Sequence, residues 1–262
     1  MTSLRTELEF AVQVAEEAGK LTLEYFPRSG VKTERKSDDS PVTVADYEAE
    51  RLIRSRIASQ FPNDGILGEE EGEVPGTSGR RWTIDPIDGT KSFVQGVPLY
   101  GVLIGLEAAG EALVGVVGIP GVGDMVAAAR GEGCFWNGAP TRVSPVDRLD
   151  ESFLVYTSCN NFHRCGDDGP GALTRIIDAC REMRSWGDAY GYVLVATGRA
   201  DAMFDPLINP WDLTPVIPIV TEAGGTVTDW AGQTPPLDGE GWPNAVATNG
   251  HLRASVLQLL NP

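Results

Sequence analysis

Two aspartates three residues apart end an apolar, β-prone run, Trp82-Thr83-Ile84-Asp85-Pro86-Ile87-Asp88-Gly89-Thr90. Carboxylates at the end of a strand hold hard cations, and the unsatisfied amides of a helix that opens at Gly-Thr hold a phosphate. Together they point to metal-assisted phosphate chemistry. An ordinary reading stands beside it, because Asp-Pro and Asp-Gly are common turn dipeptides. Three other places put acids next to turn or helix-start residues: Asp46 in Thr43-Val44-Ala45-Asp46, the cluster Glu69-Glu70-Glu71, and Asp212 after Trp211. They read equally well as a capping box, a solvated loop and a helix cap. Taken singly, each place leaves both readings open.

The elements that must position these acids follow from periodicity. Leu4, Leu8, Ala11, Val12, Ala15 and Ala18 recur at helical spacing, and Pro27 closes that helix. Val31 to Asp39 is polar and begins with a short strand candidate, Gly30 to Thr33. A second helix starts near Thr43 with Ala45, Ala49, Leu52, Ile53 and Ile57 on one face. Pro62-Asn63-Asp64-Gly65 then turns the chain into the short apolar Ile66-Leu67. Strands are expected over Leu99–Glu107, Ala112–Ile119 and Asp124–Arg130, with a hairpin turn at Trp136-Asn137-Gly138. Beyond Arg148 helices and strands alternate: a strand from Ser152 to Thr157, helices from Gly171 to Arg181 and Gly187 to Ala196, a strand from Ala202 to Phe204, and a helix after Trp211. This change of texture divides the chain into two lobes, 1–147 and 148–262.

Bulk properties narrow the function class. Against 37 acidic residues the 262-residue chain has 21 basic ones, a net charge of -16. Nucleic acids and anionic membranes both want a basic face, so neither is an expected partner. Four cysteines do not make a disulfide framework in a chain of this length. Cys159, His163 and Cys165, with Cys180 as the nearest fourth ligand, depart from known zinc spacings. The first 20 residues lack the basic start and apolar core of a signal peptide, and no apolar run is long enough to cross a bilayer. A reduced, cytoplasmic protein is expected.

Jointly, the acids resemble one known arrangement. Val42-Thr43-Val44-Ala45-Asp46, Gly68-Glu69-Glu70, Trp82 to Thr90, Trp211-Asp212 and Glu222-Ala223-Gly224-Gly225 occur in the order found in the inositol monophosphatase family of magnesium-dependent phosphatases. The resemblance covers nearly the whole chain, and its central motif is highly specific. It implies an α/β fold of five layers, αβαβα, with the metal site between the lobes, and a homodimer. It also implies roles. Glu69, Asp85 and the carbonyl of Ile87 would hold a first Mg2+, and Asp85, Asp88 and Asp212 a second, with Glu69 helping a third. Glu70 would steady water at the metals, Asp46 and Thr90 would orient and deprotonate the attacking water, and the amides of Gly89 and Thr90 would hold the phosphate.

Electrostatics agrees with that assignment. Two carboxylates about 4 Å apart repel by about 4 kcal/mol at an effective dielectric near 20. Four converging acids therefore need cations, and an all-oxygen donor set suits magnesium better than zinc. No Cys or His nucleophile is required, so direct attack by water is the simplest route. A non-catalytic metal- or phosphate-binding regulator, the alternative from another class, should have lost a ligand, and none is missing.

Substrate choice is expected in the second lobe. Relatives acting on inositol phosphates carry small residues where this chain has Asp188, within Arg184-Ser185-Trp186-Gly187-Asp188-Ala189-Tyr190-Gly191-Tyr192. Asp205 falls where relatives place an acid that holds substrate hydroxyls, and Asn209 precedes Pro210-Trp211-Asp212. Two acids facing the leaving group favour a cationic alcohol, and a charge-assisted contact is worth about 1.5–3 kcal/mol. The pattern resembles the histidinol-phosphatase branch of the family, which implies L-histidinol phosphate as substrate and a place in histidine biosynthesis. An inositol- or sugar-phosphate phosphatase is the alternative within the family, and Asp188 as a mere helix cap is the ordinary reading. Two departures stand out. Pro215 suits a helix's first turn but Pro218 should break a helical bond, and Cys159 to Pro170 matches no known segment.

Overall fold

A computed structural model of the chain describes residues 3–26, 33–35, 41–166, 168–237 and 244–262. The first part comprises α1 (Arg5–Tyr25), β1 (Thr33–Arg35), β2 (Pro41–Thr43), α2 (Val44–Gln60), β3 (Gly65–Gly68), β4 (Gly72–Val74), β5 (Arg80–Asp88), α3 (Thr90–Val94), β6 (Gly101–Ala108), β7 (Glu111–Ile119), β8 (Asp124–Ala129), β9 (Gly133–Trp136) and β10 (Ala139–Pro140). The second comprises β11 (Phe153–Tyr156), α4 (Cys159–Arg164), α5 (Gly169–Ala179), β12 (Glu182–Arg184), α6 (Ala189–Ala196), β13 (Ala202–Asp205), α7 (Pro210–Glu222), β14 (Thr226–Thr228), β15 (Ala245–Thr248) and α8 (Arg253–Leu260). The strand candidate from Gly30 lies outside the described residues except for Thr33, which begins β1.

Five layers result. The first sheet runs β10-β9-β8-β7-β6-β5-β3-β4, and the second β12-β11-β13-β15-β14. Side chains alternate across β6: Ile104 and Leu106 join Leu8, Ile53, Ile57 and Trp82 beneath α1 and α2, whereas Leu103 points to the other face. There it meets Val193 of α6 and Leu213 and Val216 of α7, which lie between the sheets together with Met203 and Ala247 of the second sheet. Phe162, Ile176 and Val256 from α4, α5 and α8 cover that sheet's far side against Leu154 and Phe204. Burying each such large side chain contributes about 1.5–3 kcal/mol. This is the expected αβαβα sandwich.

Local chemistry explains the elements nearest the acids. The Thr43 hydroxyl caps α2, accepting from the Ala45 N–H at 3.1 Å. Helix α7 runs unbroken through Pro215 and Pro218, although Pro218 has no N–H to offer. The glycine pair Gly105 and Gly115, opposite each other on β6 and β7, lets that helix lie close, since a Cβ on Gly115 would strike the Pro215 carbonyl. Asn137 and Gly138 both have positive φ, making the expected hairpin turn between β9 and β10. Strands β4, β12, β14 and β15 and helices α4 and α8 lacked a clear periodic signal, being only three to eight residues long or packed on both sides.

Candidate active site

The register between β3 and β5 builds the centre of the site. These strands pair in parallel, with Gly68 opposite Ile84, and the Glu69 N–H continues the ladder by donating to the Ile84 carbonyl at 3.1 Å. Glu69 thus arrives beside Asp85. The ladder between β5 and β6 shifts register between Asp85 and Asp88, a bulge that bends the chain around both aspartates. Within the bend the Ile87 N–H donates to Asp85 Oδ1 at 2.9 Å, and the Thr90 hydroxyl donates to the Ile87 carbonyl at 3.1 Å. From the start of α7, Asp212 completes the group.

Carboxylate oxygens of Asp85, Asp88 and Asp212 lie within 4.8 Å of one another, the one such convergence of potential ligands among the described residues. The cysteine and histidine candidates of the 159–180 segment form no such cluster there. Burial first, then the charges of Glu69, Asp212 and Asp88, push the Asp85 carboxyl well above its ordinary range. Asp88 is raised likewise, by burial and then by Asp188 and Asp212. Asp212 is pushed up to about 7, chiefly by burial, with Glu69 adding to it. Asp212 Oδ1 is buried with no hydrogen-bond donor among the described residues. Mutually destabilised carboxylates with an unsatisfied oxygen fit a hard divalent cation.

The remaining predicted residues fall around this trio. Asp46 is fully buried on α2, where its Oδ2 accepts from the Thr43 N–H at 2.8 Å and the Thr43 hydroxyl at 2.6 Å. The capping box is therefore real, and its neighbour Ala45 packs with Ile87, Phe93 and Tyr100 beneath the bend. Gly89, at φ +78°, is the N-cap of α3, and a Cβ there would come within 2.8 Å of Asp188 Oδ2. Only glycine suits both the left-handed backbone and that approach. Glu70 sits in the turn after β3, half-buried.

On the opposite side is a cavity of about 70 Å³ lined by Asp88, Thr157, Asn161, Asp188, Tyr192, Asp205 and Asp212, among others. Asp205 ends β13; its Oδ1 and Oδ2 accept from the Thr157 and Tyr192 hydroxyls at 3.4 and 3.5 Å. Burial, then Asp188 and Asp212, hold its carboxyl well above the usual range. Burial raises Asp188 too, against an opposing pull from Lys91.

Asp188 makes no side-chain cap to α6. The first amide of α6, the Ala189 N–H, donates to Asp88 Oδ2, and the Gly191 N–H donates to the Asp188 backbone carbonyl at 3.1 Å. The Asp188 backbone is at φ 54°, ψ −157°, a region natural to glycine that costs other residues on the order of 1–3 kcal/mol. Asn209 does not line this cavity; its N–H and Nδ2 both donate to Asp212 Oδ2 at 3.3 Å, holding a cluster acid in place. Sequence reasoning missed Asn161, which the short helix α4 carries to the wall, because nothing about a six-residue polar helix marks its partner. A recess of about 700 Å³ between α1 and the β8–β9 edge is larger, but Leu8, Val12, Met125 and Phe135 line it and no acidic cluster converges there.

A sequence profile of the inositol monophosphatase family matches residues 3–261. A curated histidinol-phosphatase from Chlorobaculum parvum is 48% identical over 239 residues, covering 91% of this chain and 92% of its own. Another from Streptomyces coelicolor is 38% identical, covering 97% of each chain. A crystal structure of the extragenic suppressor protein suhB from Bartonella henselae matches with a TM-score of 0.88 at 28% identity, over 98% of both chains. The layered fold and its convergent aspartate cluster are those of a metal-dependent phosphatase family. This chain belongs to the inositol monophosphatase family.

Proposed function

We propose that the protein is a magnesium-dependent phosphomonoesterase that hydrolyses L-histidinol phosphate to L-histidinol and phosphate. The observation that carries the substrate is the cavity wall: two acids, half-buried Asp188 and buried Asp205, face the space beside the acidic cluster. A protonated amine or imidazole lets both ionise, whereas a neutral polyol leaves the charges unanswered. The names of the relatives from Chlorobaculum parvum and Streptomyces coelicolor support the same substrate.

In this reading Asp85, Asp88, Asp212, Glu69 and the Ile87 carbonyl hold two or three magnesium ions. Bound there, Mg2+ neutralises charge developing on the phosphoryl and leaving oxygens and makes water more acidic. The protein's own groups do the positioning. With its proton directed to the Ile87 carbonyl, Thr90 Oγ1 has only acceptor capacity left and orients the attacking water. Asp46 takes that water's proton, and Glu70 steadies a second water. The amides of Gly89 and Thr90 receive phosphate oxygens, as helix-start amides without an intrahelical acceptor do. The water oxygen bonds to phosphorus, the ester P–O bond breaks, and the alcohol leaves with a proton from solvent. Asn209 acts on Asp212 in this scheme, so its contribution to substrate binding is indirect.

The same reading includes a cytoplasmic homodimer and two lobes meeting near residue 147, between β10 and β11. No helix among the described residues is long and apolar enough to cross a membrane. Phosphate release from histidinol phosphate, inositol 1-phosphate and fructose 1,6-bisphosphate at identical magnesium tests the proposal. The expected kcat/KM for histidinol phosphate exceeds the others by about tenfold or more, the scale of one charge-assisted contact. Equal values would leave only a general phosphatase, and full activity in chelator would reject the metal.

A further inference from the structure

The glutamates that follow β3 have a support outside the motifs that define the site. Helix α2 carries Asp46, Glu50 and Arg54 at four-residue intervals, which places them on one face. Glu50 is fully buried, one turn beyond Asp46. Its Oε2 accepts from the Glu70 N–H at 2.8 Å and its Oε1 from the Glu71 N–H at 3.0 Å. Since the Glu69 N–H is held by the Ile84 carbonyl, three successive amides of the turn are anchored. The Arg54 side chain, 11% exposed, donates to Glu50 Oε1 at 2.7 Å and to the carbonyl of Gly72, where the chain leaves the turn. Gly68 has no side chain at the place where a Cβ would strike the Glu50 carboxylate.

We propose that Glu50, braced by Arg54, is a positioning residue that sets the Glu69–Glu71 turn against Asp85 and thereby tunes metal affinity; this rests on the metal reading given above. Glu50 touches neither the aspartate trio nor the cavity. Its carboxylate works through backbone amides, which it holds against the repulsion that three adjacent glutamates feel from a cluster of acids. The strands on either side of the turn are short, β3 four residues long and β4 three. Arg51, which donates to Glu71 Oε1 at 2.7 Å, is largely exposed and contributes little.

Glu50→Gln tests the clamp. A glutamine has one acceptor oxygen, so its NH2 group confronts one of the two amides. The reading is the magnesium concentration that gives half of the full rise in Tm, measured without substrate, together with kcat and KM at saturating magnesium. The expected change is about tenfold more magnesium for Glu50→Gln, the scale found when a ligand's supporting hydrogen bond is lost, with KM within about threefold of wild type. Arg54→Lys keeps the charge beside Glu50 but replaces the rigid guanidinium fork that spans Glu50 and Gly72 with a single flexible nitrogen. It should shift the same concentration about threefold and decides the matter if Glu50→Gln does not fold. A lower metal-free Tm with an unchanged magnesium midpoint in the folded variants overturns the proposal, since a purely structural residue gives that result. A wild-type protein whose Tm and activity ignore magnesium instead removes the metal reading, and the clamp with it.

Discussion

The two walls of the site are both made of buried or half-buried aspartates, yet they are built differently. On one, Asp85, Asp88 and Asp212 converge until their oxygens lie within 4.8 Å of one another, and Asp212 Oδ1 finds no donor among the described residues. On the other, Asp188 and Asp205 stand around a small cavity, and Asp205 retains hydroxyl partners. Coulomb repulsion falls with distance, so the first wall demands concentrated positive charge and suits divalent ions. The second suits a cationic group large enough to reach two separated acids. A hydrogen bond from the Ala189 N–H to Asp88 joins the walls. An acid of the first wall thereby fixes the backbone that carries Asp188.

The largest effect should come from neutralising the metal wall. Asp85→Asn keeps the acceptor for the Ile87 N–H but removes a charge central to the cluster. Turnover is expected to fall about 10³-fold or more, the scale of losing a principal electrostatic stabiliser. The metal-free variant should nevertheless unfold at higher urea than wild type at pH 8, because a repelling buried charge is gone. A variant that loses activity and stability together would break the contrast between the walls.

Asp188→Ser probes the second wall. It should raise KM for histidinol phosphate about 10–100-fold, as expected for a charge-assisted contact, while shifting an uncharged phosphate ester less than about threefold. Equal losses on both substrates would sink the specificity role. Asp188→Gly should show the same discrimination and also gain about 1–3 kcal/mol of stability in urea titration by relieving the strained backbone.

Smaller, but informative, is the pH response. Asp85, Asp88 and Asp212 all have folded-state pKa values above those of the unfolded chain, Asp212 at about 7. The folded, metal-free protein therefore binds more protons than the unfolded chain between about pH 4 and 7, and its stability should fall as pH rises through that window. Cations need the ionised form, so the magnesium-induced rise in Tm should be greater at pH 8 than at pH 5. A rise independent of pH would place the metal elsewhere.

Much of the site was legible because its signals are local. Trp82 to Thr90 carries strand, bend and helix start in nine residues, and the capping box at Thr43 and Asp46 forms as the spacing requires. The ordinary reading of Asp188 as a side-chain cap was equally local, and it fails because the carboxylate lies over Gly89 and the cavity rather than on an amide of α6. Asn209 looked like a substrate contact from its place before Asp212; the structure brings its amide to Asp212 instead. Glu50 was invisible for the opposite reason. An acid in mid-helix reads as a solvated face until the turn after β3 is folded onto it.

By itself the sequence determined the acids, the helix starts beside them and the charge that excludes polyanionic partners. Those depend on residue type and on spacing along a few turns of chain. Tertiary structure decided which acids converge, which line a cavity and which hold backbone. Those distinctions depend on distances of a few ångströms between segments as much as 127 residues apart, from Asp85 to Asp212. The parallel pairing of β3 with β5 and the depth at which α7 lies against Gly105 and Gly115 set those distances. At Asp85 to Thr90, sequence supplied the reaction's charges, and packing supplied their convergence.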